Sequence, residues 1–441
     1  MPTWSVPRSL ADLLACFQGC FTAPTFRTFT ALVAGFVAQP GLRTVTGMLA
    51  GARLAERWHH ARAHRFFSAA RWQADQLGLA VCDLIVVRLL APDAPIRLVV
   101  DDSLFKRRGR KVFAASWHYD AAATGRKHTA WGNCWVVVGV LVRLPFVGHR
   151  QLCLPVLARL WQPRQPGRSK LDLAVALVRL VAGRYPDRRV HLACDAAYAG
   201  KALRGLPQGV TVTTRLRADA ALYALPGPRR PGQRGRPRVK GDRLAEPIVL
   251  AAQTSRAWQQ ATVACYGKPR TVELHSLVCL WYAVFGAQPV RVVLVRQPGQ
   301  PDGYQLALVS TDLKASPAAL VERYASRWSV EVLFEEARQV AGVGQARNHS
   351  RRAVERTVPF GLLCVSLIVC WYALYGQPTL DVAARRACAP WYRTKHAVSF
   401  ADMLTALRRA IIAAQYQPGR QVTPTPAEIL QVQQAWAAAA A

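Results

Sequence analysis

Two aspartates at the ends of apolar segments are the first residues in this sequence whose placement suggests chemistry. Asp101 lies near the end of the run Arg97–Ser103 (RLVVDDS), and Asp195 near the end of the run 188–196 (RRVHLACDA). Both runs are short and apolar, which predicts buried strands. If these strands are neighbours, their carboxylates lie together at one sheet edge. Oxygen ligands suit Mg²⁺, and two such ions about 3.5–4 Å apart can activate an attacking oxygen and stabilise a leaving one.

A third acidic residue lies on a later predicted helix, 314–343. Four residues of this helix are spaced by 3, 4 and 7 and therefore share one stripe. They are a phenol, a guanidinium, a carboxylate and a second guanidinium: Tyr324, Arg327, Glu331 and Arg338. In phosphodiester chemistry the carboxylate holds metal while the other groups hold phosphate oxygens. An exposed helix with ordinary Glu–Arg pairs explains the same spacing. Glu335 lies one turn on from Glu331, so periodicity alone does not choose between them.

The order of predicted elements indicates an α/β fold. Strands at 97–103, 135–142 and 149–157 precede a helix at 169–185 and a strand at 188–196. Three strands, a helix and a fourth strand are the opening order of a ribonuclease-H-like sheet. We therefore predict a catalytic core interrupted by a β-rich insertion, with helical ends, in five parts: a helical DNA-binding region 1–95, core 96–205, insertion 206–312 with a basic loop 226–243, core 313–378 and a C-terminal helical region 379–441.

The charge balance favours a polyanionic partner. The chain has 58 Lys and Arg against 25 Asp and Glu, a formal net charge of +33. Self-repulsion of this size is relieved by nucleic acid, whose phosphates release counterions when they are contacted. Two basic segments are candidate DNA contacts: 52–72, with interleaved aromatic residues, and the loop 226–243. Their alternatives are a solvated helix face with buried rings and an inert linker.

Other features limit the class of protein. The 11 Cys form no CxxC pair, so neither a zinc ribbon nor a disulfide framework is supported. The N-terminal residues lack the basic-then-apolar pattern of a signal peptide. The uncharged segment Val358–Tyr375 is near the length that spans a bilayer, but we interpret it as a buried core helix of a protein without a membrane partner.

Several motifs together resemble one enzyme family. The segment YASRWSVEVLFEEAR resembles the Y-R-E-K motif of bacterial cut-and-paste transposases, the family typified by insertion sequence four and transposon five. VVDDSLFKRRGRK and LACDAAYAGK resemble the segments that carry that family's two aspartates. GRKHTAWGNCWVVVGV is similar to a subgroup described as DDE-superfamily endonucleases. The matches cover about residues 97–345.

The resemblance implies a role for each matching residue. Asp101, Asp195 and Glu331 would be the catalytic metal ligands, and Tyr324 and Arg327 would contact phosphate near the cut, leaving Glu335 without a role. Two departures stand out. Arg338 replaces the family's Lys, and the first Asp is doubled. Strand alternation lets only one of the pair face the metal, and we expect Asp101 rather than Asp102. The family's base-receiving Trp does not align with Trp258, Trp281 or Tyr304.

The resemblance also implies the reaction. We expect Mg²⁺-dependent cleavage of double-stranded DNA at transposon ends, by two ions for which Mn²⁺ can substitute, and strand transfer into target DNA. A hairpin intermediate is implied as well. Two ends must be cut together, so we expect a homodimer on DNA, in the bacterial cytoplasm at the nucleoid. The alternatives are a non-catalytic transposase-derived DNA-binding protein, a plain metal-dependent nuclease, and a membrane protein anchored by 358–375.

Overall fold

The N-terminal region is helical. The computed structural model describes residues 6–120, 123, 128–163, 165, 168–228, 235–253, 258–299, 303–415 and 430. Its first five helices are α1 (Arg8–Ala15), α2 (Ala23–Ala38), α3 (Val45–Gly51), α4 (His60–Ser68) and α5 (Ala74–Leu89). Most of α2 is buried, because its apolar residues cover nearly the whole circumference rather than one stripe, and α5 buries part of its surface between Leu77 and Val86. These helices join the same hydrophobic core as the central sheet.

The next six strands and one helix form a mixed α/β core. They are β1 (Ile96–Lys106), β2 (Ser116–Tyr119), β3 (Thr129–Arg143), β4 (Gln151–Trp161), α6 (Lys170–Arg184), β5 (Val190–Cys194) and β6 (Val210–Arg215). The order β4-β3-β1-β5-β6 places β1 antiparallel to β3 and parallel to β5, with β6 parallel to β5. This is the strand order of a ribonuclease-H-like sheet, so the predicted fold class is confirmed.

Local sequence explains why these elements form. The run from Val136 to Val142 is fully buried, as expected of a strand covered by helices on both faces. Helix α6 starts at a capping box, in which Ser169 and Asp172 satisfy each other's backbone N–H groups. That cap fixes the first residue of α6, the helix that connects β4 to β5.

The β-rich region extends the same sheet. It contains α7 (Pro247–Gln253), β7 (Gln259–Cys265), β8 (Lys268–Cys279), α8 (Tyr282–Phe285), β9 (Val290–Arg296) and β10 (Leu306–Ser310). Strand β10 pairs antiparallel with β6, and β9, β8 and β7 follow, giving ten strands. The sequence division places 210–215 in the insertion, but β6 is the fifth strand of the core, since its buried Thr213 and Thr214 continue the register of β5.

The chain then returns over the sheet as helices. They are α9 (Pro317–Ala325), α10 (Ser329–Glu335), α11 (Arg351–Tyr375), α12 (Pro378–Cys388) and α13 (Phe400–Gln415). A 3₁₀ turn at 326–328 separates α9 from α10, and a π-helical turn at 336–340 ends α10. Leu320 and Val321 of α9 pack against apolar side chains of β7–β10 in a second core. The insertion therefore supports the helix that carries Tyr324.

Helix α11 is the central helix of the C-terminal part. Among the described residues it is the one helix long and apolar enough to cross a membrane, and 83% of its apolar window is buried inside the protein. Its Arg356 donates to the backbone carbonyls of Phe67, Ala70 and Trp72, where α4 ends. A buried guanidinium that satisfies three carbonyls stabilises packing between the helical N-terminal region and the core.

Candidate active site

The two predicted aspartates lie next to each other at the same position along the sheet. Strands β1 and β5 are parallel, and their last paired residues are Val100 and Cys194. Asp101 and Asp195 are the next residues along the chain, so the register places them side by side. Asp195 caps the following 3₁₀ turn by accepting from the N–H of Ala196, at 2.7 Å. Both carboxylates are thus located by strand pairing, as the sequence predicts.

Arg327 joins the third predicted carboxylate to this pair. One guanidinium nitrogen is 2.9 Å from Oδ2 of Asp101, and the other is 2.7 Å from Oε1 of Glu331. Arg327 has 13% of its side chain exposed, Asp101 has 21% and Glu331 has 36%. The three groups therefore form a partly buried chain that opens to solvent at Glu331. Residues 101, 195 and 331, far apart in sequence, converge on one site.

The electrostatics of Asp101 reflect its burial, with a smaller contribution from neighbouring negative charge. Burial raises its pKa to about 6, and the nearby carboxylates of Asp102 and Asp195 act in the same direction. The N–H of Asp102 and the guanidinium of Arg327 oppose the increase in pKa. A buried acid beside two others favours the bound proton, or a bound cation, over the bare charge.

The remaining residues of the stripe surround the same site. The guanidinium of Arg327 lies 5.7 Å from the ring centre of Tyr324. Burial raises the pKa of the Tyr324 phenol, and the charge of Asp195 adds to that increase, which places the phenol near the second aspartate. Arg338 donates to the hydroxyl of Ser103 at 2.6 Å. The stripe thus reaches the site although α-helical geometry is interrupted twice, by the 3₁₀ turn and by the π-helical turn.

The doubled aspartate is divided between the two faces of β1. Asp101 faces α10, whereas Asp102 accepts from the ammonium of Lys170 at 2.6 Å and from the hydroxyl of Tyr198 at 2.8 Å. The thiol of Cys134 is 3.2 Å from the same carboxylate. These contacts lie away from Arg327, so Asp102 is engaged on the side opposite the site.

The donor set of the site suits a divalent cation, but its side chains are not gathered around one. Within the part of the chain that the structure describes, no three His, Cys, Asp or Glu residues form a group that could hold a metal ion. Arg327 lies between Asp101 and Glu331 instead. Carboxylate oxygens are the ligands that Mg²⁺ and Mn²⁺ prefer. For three carboxylates to surround the ion, Glu331 would have to release its contact with Arg327 and turn towards the ion.

Several residues in the site or directly behind it lie outside the sequence-based prediction. Ser103, Lys170, Tyr198 and Cys134 all contact Asp102 or Arg338. The signal for Ser103 was present, since it follows both aspartates on the strand. Lys170 carries no such signal, because its position depends on where α6 starts. Tyr198 lies within the LACDAAYAGK segment, but its contact with Asp102 depends on the turn after β5. Neither position follows from local periodicity.

Two other candidate contacts have defined surroundings. In the segment 52–72, Phe66, Phe67 and Trp72 are buried, and the guanidinium of Arg62 lies 3.7 Å from the ring centre of Trp58. In the loop 226–243, residues 229–234 lie outside the described residues, and the ammonium of Lys240 is 3.9 Å from the ring centre of Tyr223. DNA contact by either segment remains a prediction.

The aromatic candidates of the insertion also differ in exposure. Trp281 is buried, while Trp258 and Tyr304 are partly buried against the core. The guanidinium of Arg296 lies 4.1 Å from the ring centre of Trp258. None of the three is assigned as the base-receiving residue.

Comparison with known proteins identifies the family. The model of the DDE superfamily endonucleases matches residues 16–270, more than half of the chain, and includes Asp101 and Asp195 but ends before Glu331. The chain therefore belongs to the DDE superfamily endonucleases. The structure is similar to a cryo-EM structure of a piggyBac transposase synaptic complex with hairpin DNA, at 11% identity and a TM-score of 0.41, over 97% of this chain and 80% of that one. No curated protein matches.

Proposed function

We propose that this protein is a DNA transposase of the bacterial insertion-sequence type, which cleaves double-stranded DNA at transposon ends and transfers the freed ends into target DNA. The observation that carries the proposal is the contact of one guanidinium, that of Arg327, with both Asp101 and Glu331 beside Asp195. Members of this family generally use divalent metal ions. For this chain we propose Mg²⁺ as the ion, two per site, with Mn²⁺ as a substitute.

The proposed roles follow from the chemistry of each side chain. Asp101, Asp195 and Glu331 supply the carboxylate oxygens of the metal site. When bound, the divalent ions supply charge stabilisation for the attacking and leaving oxygens. Arg327, once Glu331 turns to the metal, is free to donate to a phosphate oxygen of the scissile strand. Tyr324 and Arg338 orient the same strand from either side of the stripe.

The charge of the whole chain supports DNA as the substrate. A net charge of +33 favours a long polyanion over a small anionic substrate, because each neutralised phosphate adds to the binding free energy. Paired cleavage at two ends favours a homodimer in the DNA-bound state. By the same proposal, the protein acts in the bacterial cytoplasm at the nucleoid.

The test uses a plasmid that carries the gene with its natural flanking DNA. Asp195→Ala is expected to abolish Mg²⁺-dependent cleavage and to leave binding to the flanking DNA near the wild-type level. Asp187→Ala changes an exposed aspartate before β5 and serves as the matched control. Residual cleavage by pure Asp195→Ala protein would refute the site assignment.

A second measurement separates the alternatives. Wild-type protein is incubated with labelled, pre-cut ends and a supercoiled target plasmid. Capture of the label by the target supports strand transfer, whereas cleavage without capture favours a plain nuclease. Binding without cleavage in Mg²⁺ or Mn²⁺ favours a DNA-binding protein that has lost catalysis.

A further inference from the structure

A polar cluster lies behind the candidate active site, on the opposite face of β1. It consists of Asp102, Cys134, Lys170 and Tyr198, and we call it the Asp102 cluster. Its members come from β1, β3, the first residue of α6 and the turn after β5. The roles proposed above use none of these four residues.

Both oxygens of the Asp102 carboxylate accept hydrogen bonds from members of this cluster. Oδ1 accepts from the phenol of Tyr198 at 2.8 Å. Oδ2 accepts from the ammonium of Lys170 at 2.6 Å and lies 3.2 Å from the thiol of Cys134. The Lys170 ammonium also lies 4.9 Å from the ring centre of Trp161 on β4. Charge-assisted hydrogen bonds to a carboxylate at this depth hold their partners in one geometry.

The cluster connects the two chain segments that carry the proposed metal ligands. Asp102 is the residue after Asp101, and its N–H donates to Oδ1 of Asp101 at 2.8 Å. Tyr198 ends the 3₁₀ turn that begins at Asp195, and its N–H donates to the carbonyl oxygen of Asp195 at 3.0 Å. The Tyr198–Asp102 hydrogen bond therefore closes a ring through both aspartates.

From this ring we infer that Asp102 and Tyr198 are positioning residues, which hold Asp101 and Asp195 at the separation that a divalent cation requires. Strand pairing between β1 and β5 ends at Val100 and Cys194, one residue before the carboxylates. Beyond that point the backbone ladder no longer fixes their spacing. The buried phenol of Tyr198, 2% exposed, supplies a contact between the two segments at this point, on the face of β1 opposite the site. The inference rests on the proposed metal-dependent function.

The test measures metal binding directly, in the full-length protein without DNA. Mn²⁺ is titrated and the free ion is followed by electron paramagnetic resonance, for wild type, Tyr198→Phe, Asp102→Ala and the double variant. Loss of a group that orients a metal ligand typically weakens metal affinity by about 10-fold to 100-fold. We expect about 10-fold weaker Mn²⁺ binding in Tyr198→Phe. The double variant is expected to be no weaker than Asp102→Ala, since both changes remove the same hydrogen bond.

Tyr372→Phe is the matched control. Tyr372 is also a fully buried tyrosine, 1% exposed, and its phenol donates to the carboxylate of Asp381 at 2.5 Å, on α11 and α12. Its removal deletes the same kind of hydrogen bond outside the Asp102 cluster. Mn²⁺ affinity is expected to stay at the wild-type value in Tyr372→Phe.

The outcomes separate the inference from the function on which it rests. Wild-type affinity in Tyr198→Phe, or an equal loss in Tyr372→Phe, overturns the positioning role. Wild-type protein that binds Mn²⁺ no better than Asp195→Ala overturns the metal site itself, and the positioning role with it. Cleavage assays on the same variants give a second readout, in which Tyr198→Phe raises the half-saturating Mn²⁺ concentration.

Discussion

Replacing Asp101 with Asn is expected to make the metal-free protein more stable at neutral pH while it abolishes cleavage. The pKa of Asp101 is raised from 3.8 to about 6, chiefly by burial. A folded-state pKa above the unfolded value means that ionisation destabilises the fold. The contribution of Asp101 is therefore fully favourable below about pH 4 and is lost as the pH rises towards 6.

The magnitude follows from the difference between the two pKa values. A difference of about 2 corresponds to roughly 3 kcal/mol at about 1.4 kcal/mol per pKa unit. For 441 residues, an unfolding entropy of about 2.1 cal/mol/K per residue converts that gain into a rise in Tm of roughly 3 °C. Arg327 keeps Glu331 as a partner in the variant, so no unpaired guanidinium offsets the gain.

The assay is thermal unfolding in a chelating buffer at pH 4.5 and pH 8. Asp101→Asn is expected to melt above wild type at pH 8 and close to it at pH 4.5. Asp187→Asn, an exposed aspartate, is expected to match wild type at both pH values. A gain of the same size at both pH values, or no gain at pH 8, would refute the conclusion that the buried charge of Asp101 destabilises the fold.

Three further predictions test other contacts. Arg338→Lys is expected to retain cleavage, because the ammonium keeps the charge beside β1, whereas Arg338→Ala loses it; equal loss in both would contradict a charge-based role. Glu331→Gln is expected to abolish plasmid nicking and Glu335→Gln, on the exposed side, to leave it near the wild-type rate; the reverse order would exchange their roles. Arg356→Met leaves three backbone carbonyls without their donor, so the free energy of unfolding is expected to fall by about 3 kcal/mol in a denaturation experiment. An unchanged Tm would contradict the capping role of Arg356.

The positions of Asp101 and Asp195 could be predicted because each follows an apolar run that strand periodicity identifies. Their neighbourhood required one further assumption, that the first and fourth predicted strands pair, and the register of β1 and β5 confirms it. Alternation along a strand predicts only that one of Asp101 and Asp102 faces the site, and the contacts of the two side chains show that it is Asp101. Features that depend only on strand geometry could therefore be predicted from the local sequence pattern.

Other features depend on contacts between distant segments, which periodicity does not encode. The sequence division placed 210–215 in the insertion because the strand follows a break near 206, yet its partners are β5 and β10. The interruption of the helix at 326–328 and 336–340 has no sequence signal of the Pro or Gly kind. Tyr198 and Lys170 acquire their role only once β1, β5 and α6 are packed.

The continuous sheet constrains how this protein can move. Because β10 is hydrogen-bonded to β6 and α9 packs on β7–β10, the insertion is not a separate body on a hinge. A displacement of the outer strands is therefore coupled, through the hydrogen-bonded ladder and the packing of α9, to the position of Tyr324. Under the proposed function, DNA contacts at the far edge of the sheet would change the alignment of Tyr324 and Arg327 beside the scissile strand.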